Sequence, residues 1–287
     1  MLNLNSGFFA ALDQSGGGSR KALELYGLRD FNDDNLFDLM HDMRARIIKS
    51  PSFSSDKISG VILFEEEIYR NVDDINMVKF ITDKGINCFV KIDQGLEEVN
   101  NGVQLMRSIN NLDILLSNLK RLNVCGTKMR SFILENNKKG IREIVKQQFL
   151  IAKKVWDYGL IPILETEIDI NASDKYECEV TLRNEIDKFL SKLGDMKIIF
   201  KFTLPSIPNF YRDYLDNDNV FSVLALSGGY SLKEACSILS KNDLMQASFC
   251  RALLEGLKYD YSDSKFDKVL GENIDMIYNA SIYKTIN

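Results

Sequence analysis

"VCGTKMR" (residues 124–130), "GIREIVKQQFLIAKKVWDYGL" (140–160) and "LIPILETEI" (160–168) follow one another along the chain and decide its fold. The first and third stretches are short and begin with apolar residues, as strands of a buried sheet do. The middle stretch repeats its apolar residues every three or four positions, which is typical of an amphipathic helix. A strand, a helix and a second strand in succession predict a βαβ unit with parallel strands.

The same alternation extends along the whole chain. Six further strand-like runs are "FFAALD" (8–13), "ISGVILF" (58–64), "NCFVKID" (87–93), "KIIFKFTL" (197–204), "VFSVLALS" (220–227) and "QASFCRAL" (246–253). Eight strands that alternate with helical segments predict a (β/α)8 TIM barrel, with a doubly wound sheet as the main competitor. No GxGxxG follows a strand, which disfavours the competitor. No linker interrupts the pattern, so we predict one (β/α)8 catalytic domain over residues 1–287 of this α/β chain.

Composition and charge exclude several classes of function. The chain carries 36 Lys and Arg against 41 Asp and Glu, a formal charge of −5, without a long basic run. We therefore expect no nucleic-acid partner. The amino terminus lacks a basic segment followed by an apolar stretch, so no signal peptide is expected. No apolar run approaches the ~20 residues of a membrane span, and we expect no membrane partner.

Cysteine and histidine usage bears on compartment and metal binding. The five cysteines are widely spaced and form no CxxC motif, which fits a reducing cytoplasm rather than a disulfide scaffold or a zinc site. His41 is the only histidine, and its helical surroundings favour an ordinary structural role. We expect neither a metal site nor a cofactor.

Charged side chains occur near the carboxyl ends of six predicted strands. They are Asp13, Lys91, Asp93, Lys128, Arg130, Glu165, Glu167, Lys201 and Arg251. In a TIM barrel these strand ends meet at one mouth, and residues two apart share a face. A single such charge is compatible with a structural ion pair, but burying each ion without compensation costs roughly several kcal/mol. The sequence therefore predicts a shared polar site, and its mixture of amines and carboxylates indicates proton transfer.

Lys201 stands inside the apolar run "IIFKFTLPS" (198–206). A lysine is almost never fully buried unless it is paired or has a function. Its amine attacks a carbonyl only when neutral, and we expect Phe200, Phe202 and a second cation such as Lys128 to disfavour the charged form. These features predict an imine between Lys201 and a ketone.

Carboxylates on neighbouring strands supply the remaining chemistry. Imine formation requires a proton for the departing hydroxyl, and Glu165 is the best placed donor, with Glu167 behind it. Asp13 is expected to take a proton from a substrate hydroxyl as the adjacent C–C bond breaks. The alternative for Glu167 and Asp93 is a supporting role, in which they orient lysines and balance charge.

Two glycine-rich turns suit phosphate groups. "SGGY" (227–230) precedes a helical segment, and backbone N–H groups at a helix start favour an anion, to which Arg251 can add a bidentate contact. "DQSGGGSRK" (13–21) is a second such turn and offers Ser15. Each turn alone is unspecific. Two of them around one lysine suggest a substrate phosphorylated at both ends.

At this point the sequence resembles a known family, the class I fructose-bisphosphate aldolases, in particular their shorter bacterial branch. The resemblance rests on eight blocks in the family's order: "GFFAALDQSGG", "HDMRARIIKSPSFSSDKISGVILFEE", "FVKIDQG", "NNGVQLM", "GTKMRS", "IPILETEI", "LALSGGYS" and "ASFCRAL". The resemblance implies a TIM barrel that reversibly cleaves fructose 1,6-bisphosphate to dihydroxyacetone phosphate and glyceraldehyde 3-phosphate. It also implies a cytoplasmic enzyme of glycolysis and gluconeogenesis whose partner is a small sugar phosphate. A homo-oligomer is compatible with the sequence, which does not fix the oligomeric state.

The resemblance also implies residue roles. Lys201 matches the Schiff-base lysine, Glu165 the acid/base carboxylate, Asp13 the aspartate that acts at the C4 hydroxyl, and Lys128 the lysine beside the imine. One phosphate site matches Ser227, Gly228, Gly229 and Arg251, and the other matches Ser15 and Lys91. We assign Arg130 to substrate binding and count Glu167 among the catalytic residues.

The sequence departs from the family pattern at four places. Thr166 stands where the family usually has proline, and Gly18 stands where a serine that contacts phosphate is common, which leaves Ser19 as a substitute. Cys250 replaces a small residue whose backbone helps to hold phosphate. Longer relatives end in a mobile tail with a tyrosine, for which Tyr278 or Tyr283 would have to substitute here.

Three other functions remain open at the level of sequence. Another Schiff-base sugar-phosphate lyase, or a transaldolase-like enzyme, would keep the imine, and comparing turnover of fructose bisphosphate and fructose 1-phosphate discriminates it. A non-catalytic phosphosugar-binding protein would bind the bisphosphate without cleavage or imine. A metal-dependent aldolase would lose activity in EDTA, but a single histidine disfavours it.

Overall fold

The computed structural model describes Leu4 and residues 6–285, and eight parallel strands form its main sheet. These strands are β1 (Phe8–Leu12), β2 (Ile58–Phe64), β3 (Asn87–Lys91), β4 (Gly126–Ile133), β5 (Ile161–Ile168), β6 (Ile198–Thr203), β7 (Val220–Leu226) and β8 (Gln246–Ala247). Each strand pairs with the next in chain order. The N–H of Ala11 donates to the carbonyl of Phe249 at 3.2 Å and links β1 to the end of β8. The predicted barrel is confirmed.

Within the described residues, eight α-helices form the outer layer; the last of them follows the final strand, and the others lie between strands. They are α1 (Gly17–Tyr26), α2 (Leu36–Lys49), α3 (Met77–Asp83), α4 (Leu112–Arg121), α5 (Lys138–Asp157), α6 (Lys175–Leu190), α7 (Leu232–Leu239) and α8 (Asp263–Ile282). The connection from β6 to β7 holds a short 3₁₀ helix, Arg212–Asp216, in place of an α-helix. None of the helices among the described residues is long and apolar enough to cross a membrane.

The last strand is much shorter than its sequence pattern predicts. The run 246–253 was expected to be extended, but β8 comprises only Gln246–Ala247. Beyond Phe249 the chain forms successive turns, in which the N–H of Leu254 donates to the carbonyl of Arg251 at 3.2 Å. Arg251 therefore approaches the barrel mouth from a turn rather than from a strand.

The barrel interior is filled by a small apolar cluster. Its members are Leu4, Phe9, Ile62, Phe89, Ile161, Ile163, Ile199 and Leu224. Glycines leave room for the two rings: a Cβ on Gly60 would lie 2.7 Å from the ring of Phe9, and a Cβ on Gly126 would lie 2.7 Å from that of Phe89. A larger cluster packs the other face of the strands against the helices. The interior is thus a packed core, as in other TIM barrels.

A polar network occupies the amino-terminal end of the barrel. The side-chain amide of Gln246 donates to the carbonyls of Leu4, at 2.9 Å, and of Gly7. Its oxygen accepts a hydrogen bond from the hydroxyl of Ser222 at 2.7 Å. Because these groups are buried, their mutual hydrogen bonds are needed to satisfy them. The network fixes Leu4 and Gly7 beneath the apolar interior.

Candidate active site

Charged side chains continue the inward face of the strands above the apolar interior. Side chains alternate along a strand, so the face of Phe89 also carries Lys91, and the face of Ile163 also carries Glu165. The strand register places Glu165 beside Lys201 and Lys91 beside Lys128. Residues far apart in sequence therefore meet at the carboxyl end of the barrel.

Glu165 bridges two buried lysines. The Lys201 amine lies 3.0 Å from its Oε1, and the Lys128 amine lies 2.8 Å from its Oε2. Lys128 also lies 2.6 Å from the Oδ2 of Asp13 and 3.8 Å from that of Asp93. Only 2% of Lys201 and 1% of Lys128 is exposed. Glu165 is therefore in direct contact with both amines.

The charged groups of this cluster determine one another's protonation states. Burial alone would raise the pKa of Asp13 and Glu165, but Lys128 and Lys201 hold both pKa values below their ordinary range. Burial would lower the pKa of Lys128, yet the carboxylates of Asp13 and Glu165 raise it above its ordinary value. At neutral pH, Asp13 and Glu165 are therefore carboxylates and Lys128 is a cation.

A second set of charges surrounds the first. The Lys91 amine contacts both the carboxylate and the backbone carbonyl of Asp93 at 2.7 Å. The side-chain Nε of Arg130 lies 2.5 Å from the carboxylate of Glu167, and the backbone N–H of Arg130 donates to the carboxylate of Asp93 at 3.1 Å. These contacts fit the supporting role that the sequence left open for Asp93 and Glu167, which orient cations.

The expectation that Phe200 and Phe202 surround the Lys201 amine was wrong. Their rings stack at 5.1 Å on the helix-facing side of β6, where Phe202 also stacks on Tyr211 at 4.1 Å. The reason is strand alternation, which sends neighbours of Lys201 to the opposite face. The apolar neighbour of Lys201 on its own face is Leu224, which pairs with Lys201 in the register of β7 and β6 and belongs to the apolar interior of the barrel.

A cavity of about 540 Å³ opens over the cluster, a volume typical of small-molecule sites. Of the residues predicted for the site, those that line it are Asp13, Ser15, Lys91, Lys128, Arg130, Glu165, Glu167, Lys201, Ser227, Gly228 and Arg251. Gly229 lines an adjoining groove, which Arg251 also lines. The structure thus brings the predicted residues together, with Gly229 at the edge.

The turn after β7 requires its glycines. Gly228 has φ 60° and Gly229 has φ 124°, in the left-handed region that favours glycine. A Cβ on Gly228 would also lie 2.6 Å from the Cγ2 of Ile170. The N–H of Tyr230 donates to the carbonyl of Ser227 at 2.9 Å and closes the turn. Among the described residues, the N–H groups of Gly228 and Gly229 have no protein acceptor.

The amino terminus of α7, which the sequence analysis offered to a phosphate, is already occupied. The N–H of Leu232 donates to the carboxylate of Glu255 at 2.9 Å. Ser231 and Glu234 form a capping box, in which each side chain accepts from the backbone of the other. Two N–H groups of the helix start, those of Leu232 and Glu234, therefore already have side-chain acceptors. The available donors lie one turn earlier, at Gly228 and Gly229.

The first glycine-rich turn leads directly into α1. The N–H of Gly18 donates to the carbonyl of Ser15 at 3.1 Å, and Gly16 has φ 54°. Gly18 lines the cavity, whereas Ser19 is buried away from it. Lys21, one turn further along α1, lines the cavity and was missed by sequence reasoning. Its position three residues after Gly18 on a helix could have indicated it.

Three further residues line the cavity: Gln14 and Ser248, which were not assigned to the site from sequence, and Cys250, which the sequence analysis considered for its backbone. Both side-chain amide atoms of Gln14 and the hydroxyl of Ser248 are buried without a partner among the described residues. Burial raises the pKa of Cys250 to about 12, so this side chain is a neutral thiol. Ser248 and Cys250 lie two and four residues after the inward-facing Gln246. This spacing of two residues could have indicated from the sequence that both side chains face the barrel mouth.

The remaining departures from the family pattern have structural outcomes. The strand end that carries Thr166 is supported by Gln148, whose amide lies 3.3 Å from the carbonyl of Glu165. Tyr278 and Tyr283 pack on each other with ring centroids 6.2 Å apart and do not line the cavity. Within residues 4 and 6–285, no group of three His, Cys, Asp or Glu side chains is placed to hold a metal ion.

Comparisons with known proteins agree with this geometry. The family model described as fructose-bisphosphate aldolase class-I matches residues 5–206. Similar in structure is fructose-bisphosphate aldolase from Plasmodium falciparum, solved with TRAP and a small-molecule inhibitor. It has 17% identity and a TM-score of 0.77, over 100% of this chain and 93% of that one. Fructose-bisphosphate aldolase from Slackia heliotrinireducens DSM 20476 has 12% identity and a TM-score of 0.55, and the match covers 98% of this chain and 87% of that one.

Proposed function

Because the chain belongs to the class I fructose-bisphosphate aldolase family, we propose that Lys201 forms the Schiff base with fructose 1,6-bisphosphate. The enzyme reversibly cleaves this sugar to dihydroxyacetone phosphate and glyceraldehyde 3-phosphate. The observation that supports the residue assignment is the bridging position of Glu165, which contacts Lys201 at 3.0 Å and Lys128 at 2.8 Å. The three groups line a cavity of about 540 Å³.

Glu165 moves the protons of imine formation. Its Oε1 takes a proton from Lys201, and the neutral amine then attacks the C2 carbonyl carbon. The resulting carbinolamine hydroxyl receives a proton from Glu165 and leaves as water, which gives the protonated imine. Lys128 lies on the other oxygen of Glu165 and stabilises its ionised form once the proton has left.

Asp13 is the base of the cleavage step. It takes the proton of the C4 hydroxyl, the C3–C4 electron pair moves toward the imine, and the aldehyde departs from an enamine. The ion pair with Lys128 at 2.6 Å keeps Asp13 ionised and therefore able to accept this proton. Protonation at C3 and hydrolysis of the imine then release dihydroxyacetone phosphate.

Cations and backbone donors at the mouth bind the two phosphates. We assign one phosphate to Ser227, Gly228, Gly229 and Arg251. Ser15 and Lys91 bind the other phosphate, and Arg130 contributes to substrate binding. The N–H groups of Gly228 and Gly229 support the first assignment because they face no protein acceptor among the described residues.

Residues 1–287 act as one catalytic domain in this proposal, with a sugar phosphate as the partner and the cytoplasm as the location. The continuous strand order of the barrel supports the first point. The five free cysteines are consistent with a reducing compartment.

Borohydride reduction in the presence of dihydroxyacetone phosphate tests the assignment of Lys201. We expect a stable adduct that peptide mass mapping locates on Lys201, and no adduct in Lys201→Ala. Lys146→Ala, which changes a lysine of α5, serves as the control and should retain the adduct. An adduct on another lysine, or none in the unmodified protein, would refute the assignment.

A further inference from the structure

Three charged side chains outside the cavity form a continuous chain that reaches the end of β1. Arg44 of α2 donates to the Oε1 of Glu67 at 2.6 Å and to the backbone carbonyl of Gln14 at 2.7 Å. The Oε2 of Glu67 lies 2.7 Å from the Nδ1 of His41. Gln14 directly follows Asp13, so Arg44 holds the peptide next to the proposed base.

This chain of contacts is almost completely buried. Arg44 and Glu67 are 1% and 2% exposed, and the guanidinium lies 5.8 Å from the centre of the Phe64 ring. A charge at such depth has a fixed position only while its partners are in place. Glu67 is therefore required to hold Arg44, and Arg44 is required to hold the carbonyl of Gln14.

His41 faces an acceptor at each ring nitrogen. Nδ1 meets the carboxylate of Glu67, and Nε2 meets the backbone carbonyl of Asn71 at 3.0 Å. A neutral imidazole has only one N–H, so satisfying both acceptors requires the imidazolium. The hydrogen bond to Glu67 raises the pKa of His41, although partial burial opposes this.

Most of the other charged groups around His41 have partners of their own. Arg70 pairs with Asp38 and Lys49 pairs with Asp73, at 2.7 and 2.8 Å. From α8, Asp263 contacts Arg46 and Asp267 accepts from Ser50 and Ser52. Asp42 also lines the groove beside His41. Glu67 remains the carboxylate in direct contact with the imidazole.

We propose that Arg44 is a positioning residue for Asp13, held in place by Glu67 and by protonated His41. The inference rests on the proposed role of Asp13 in the cleavage step. Loss of the His41 proton leaves a ring nitrogen without hydrogen facing an acceptor, which weakens the hold on Glu67 and then on Arg44. The contribution of His41 to the position of Arg44 is complete below the ordinary pKa of histidine, about 6.5. It is lost as the pH rises through the pKa of His41 in the folded protein, which is raised above that ordinary value.

The single histidine makes the test direct. In untagged protein, the imidazole NMR signals arise from His41 alone, so its titration midpoint can be compared with the pH dependence of kcat. We expect kcat to fall as His41 loses its proton. His41→Gln should lack this step in the pH profile, while the unmodified protein and His41→Gln both keep the borohydride adduct on Lys201.

Glu67→Gln removes the central charge. We expect kcat to fall by about 10- to 100-fold because Asp13 is displaced, with KM little changed and the Lys201 adduct retained. Glu185→Gln is the control: its side chain is also little exposed, at 4% against 2% for Glu67, but it holds Arg142 and Lys188 on the helices, and its kcat should stay unchanged.

The outcomes separate this inference from the proposed function. A titration of His41 that leaves kcat constant, or an unchanged kcat in Glu67→Gln, would overturn the positioning role. If Glu67→Gln does not fold, the pH profile of His41→Gln decides alone. Absence of the Lys201 adduct from the unmodified protein would instead refute the proposed function.

Discussion

Replacing Lys128 by methionine is expected to reverse the pH dependence of stability. Lys128 contacts Asp13 at 2.6 Å and Glu165 at 2.8 Å. In Lys128→Met, Glu165 keeps Lys201 as a partner, but Asp13 loses its nearest cation while it remains 8% exposed. Removing one partner of a buried ion pair destabilises a protein by about 3–5 kcal/mol.

The direction of the effect follows from proton binding. In the unmodified enzyme the pKa of Asp13 lies below its ordinary value. Ionised Asp13 therefore adds to the free energy of unfolding above about pH 4, and this stabilisation is lost as the pH falls. In the variant, burial is the dominant effect and raises the pKa of Asp13. The folded state then binds a proton that the unfolded state lacks, so the free energy of unfolding falls by about 1.4 kcal/mol per pH unit as the pH rises.

Urea unfolding at pH 5.5 and pH 8 measures this difference. We expect the variant to lose about 3–5 kcal/mol relative to the unmodified enzyme at pH 8 and clearly less at pH 5.5. Lys49→Met is the control, because Lys49 is 47% exposed and pairs with an exposed Asp73, and its effect should stay within about 0.5 kcal/mol. An equal loss at both pH values, or a loss below about 1 kcal/mol at pH 8, would refute the reasoning.

Two further predictions concern the phosphate turn and acid stability. Gly228→Ala should raise KM and reduce the free energy of unfolding by about 1–3 kcal/mol, because φ is 60° and the Cβ would meet Ile170. Gly194→Ala, which shares the left-handed φ (61°) but lies in open space away from the cavity, should leave KM unchanged in the same assay. Thermal melts should show stability falling below about pH 4, since the pKa values of Asp13 and Glu165 are lowered, and a shallower fall in Asp13→Asn. An equally steep fall in that variant would contradict this origin.

The barrel and most of its mouth were predictable because they depend on local periodicity. Alternation with a period of two places Lys91 and Glu165 on the inward face, and parallel strands bring their carboxyl ends together. The same rule, applied to Phe200, would have placed its ring among the helices. The error at that position came from considering neighbours in sequence rather than neighbours on a face.

Other features depend on contacts between distant segments and carry no local signal. Glu255 lies 23 residues from Leu232, from whose N–H it accepts a hydrogen bond, so this contact at the start of α7 could not be read from the helix itself. His41 was expected to be an ordinary helix residue. Its link to the active site passes through Glu67 and Arg44, and only the contact of α2 with the short 3₁₀ helix after β2, Glu65–Tyr69, creates that link.

The filled floor of the barrel leaves Lys201 accessible only from the cavity side among the described residues. Phe9, Phe89 and Ile199 occupy the interior beneath Lys201, and Gln246 bonds the chain start at the far end. Among the residues that the structure describes, solvent therefore approaches Lys201 from the side on which the sugar is bound. In the proposed reaction, the water that hydrolyses the imine must therefore enter through the same mouth as the sugar.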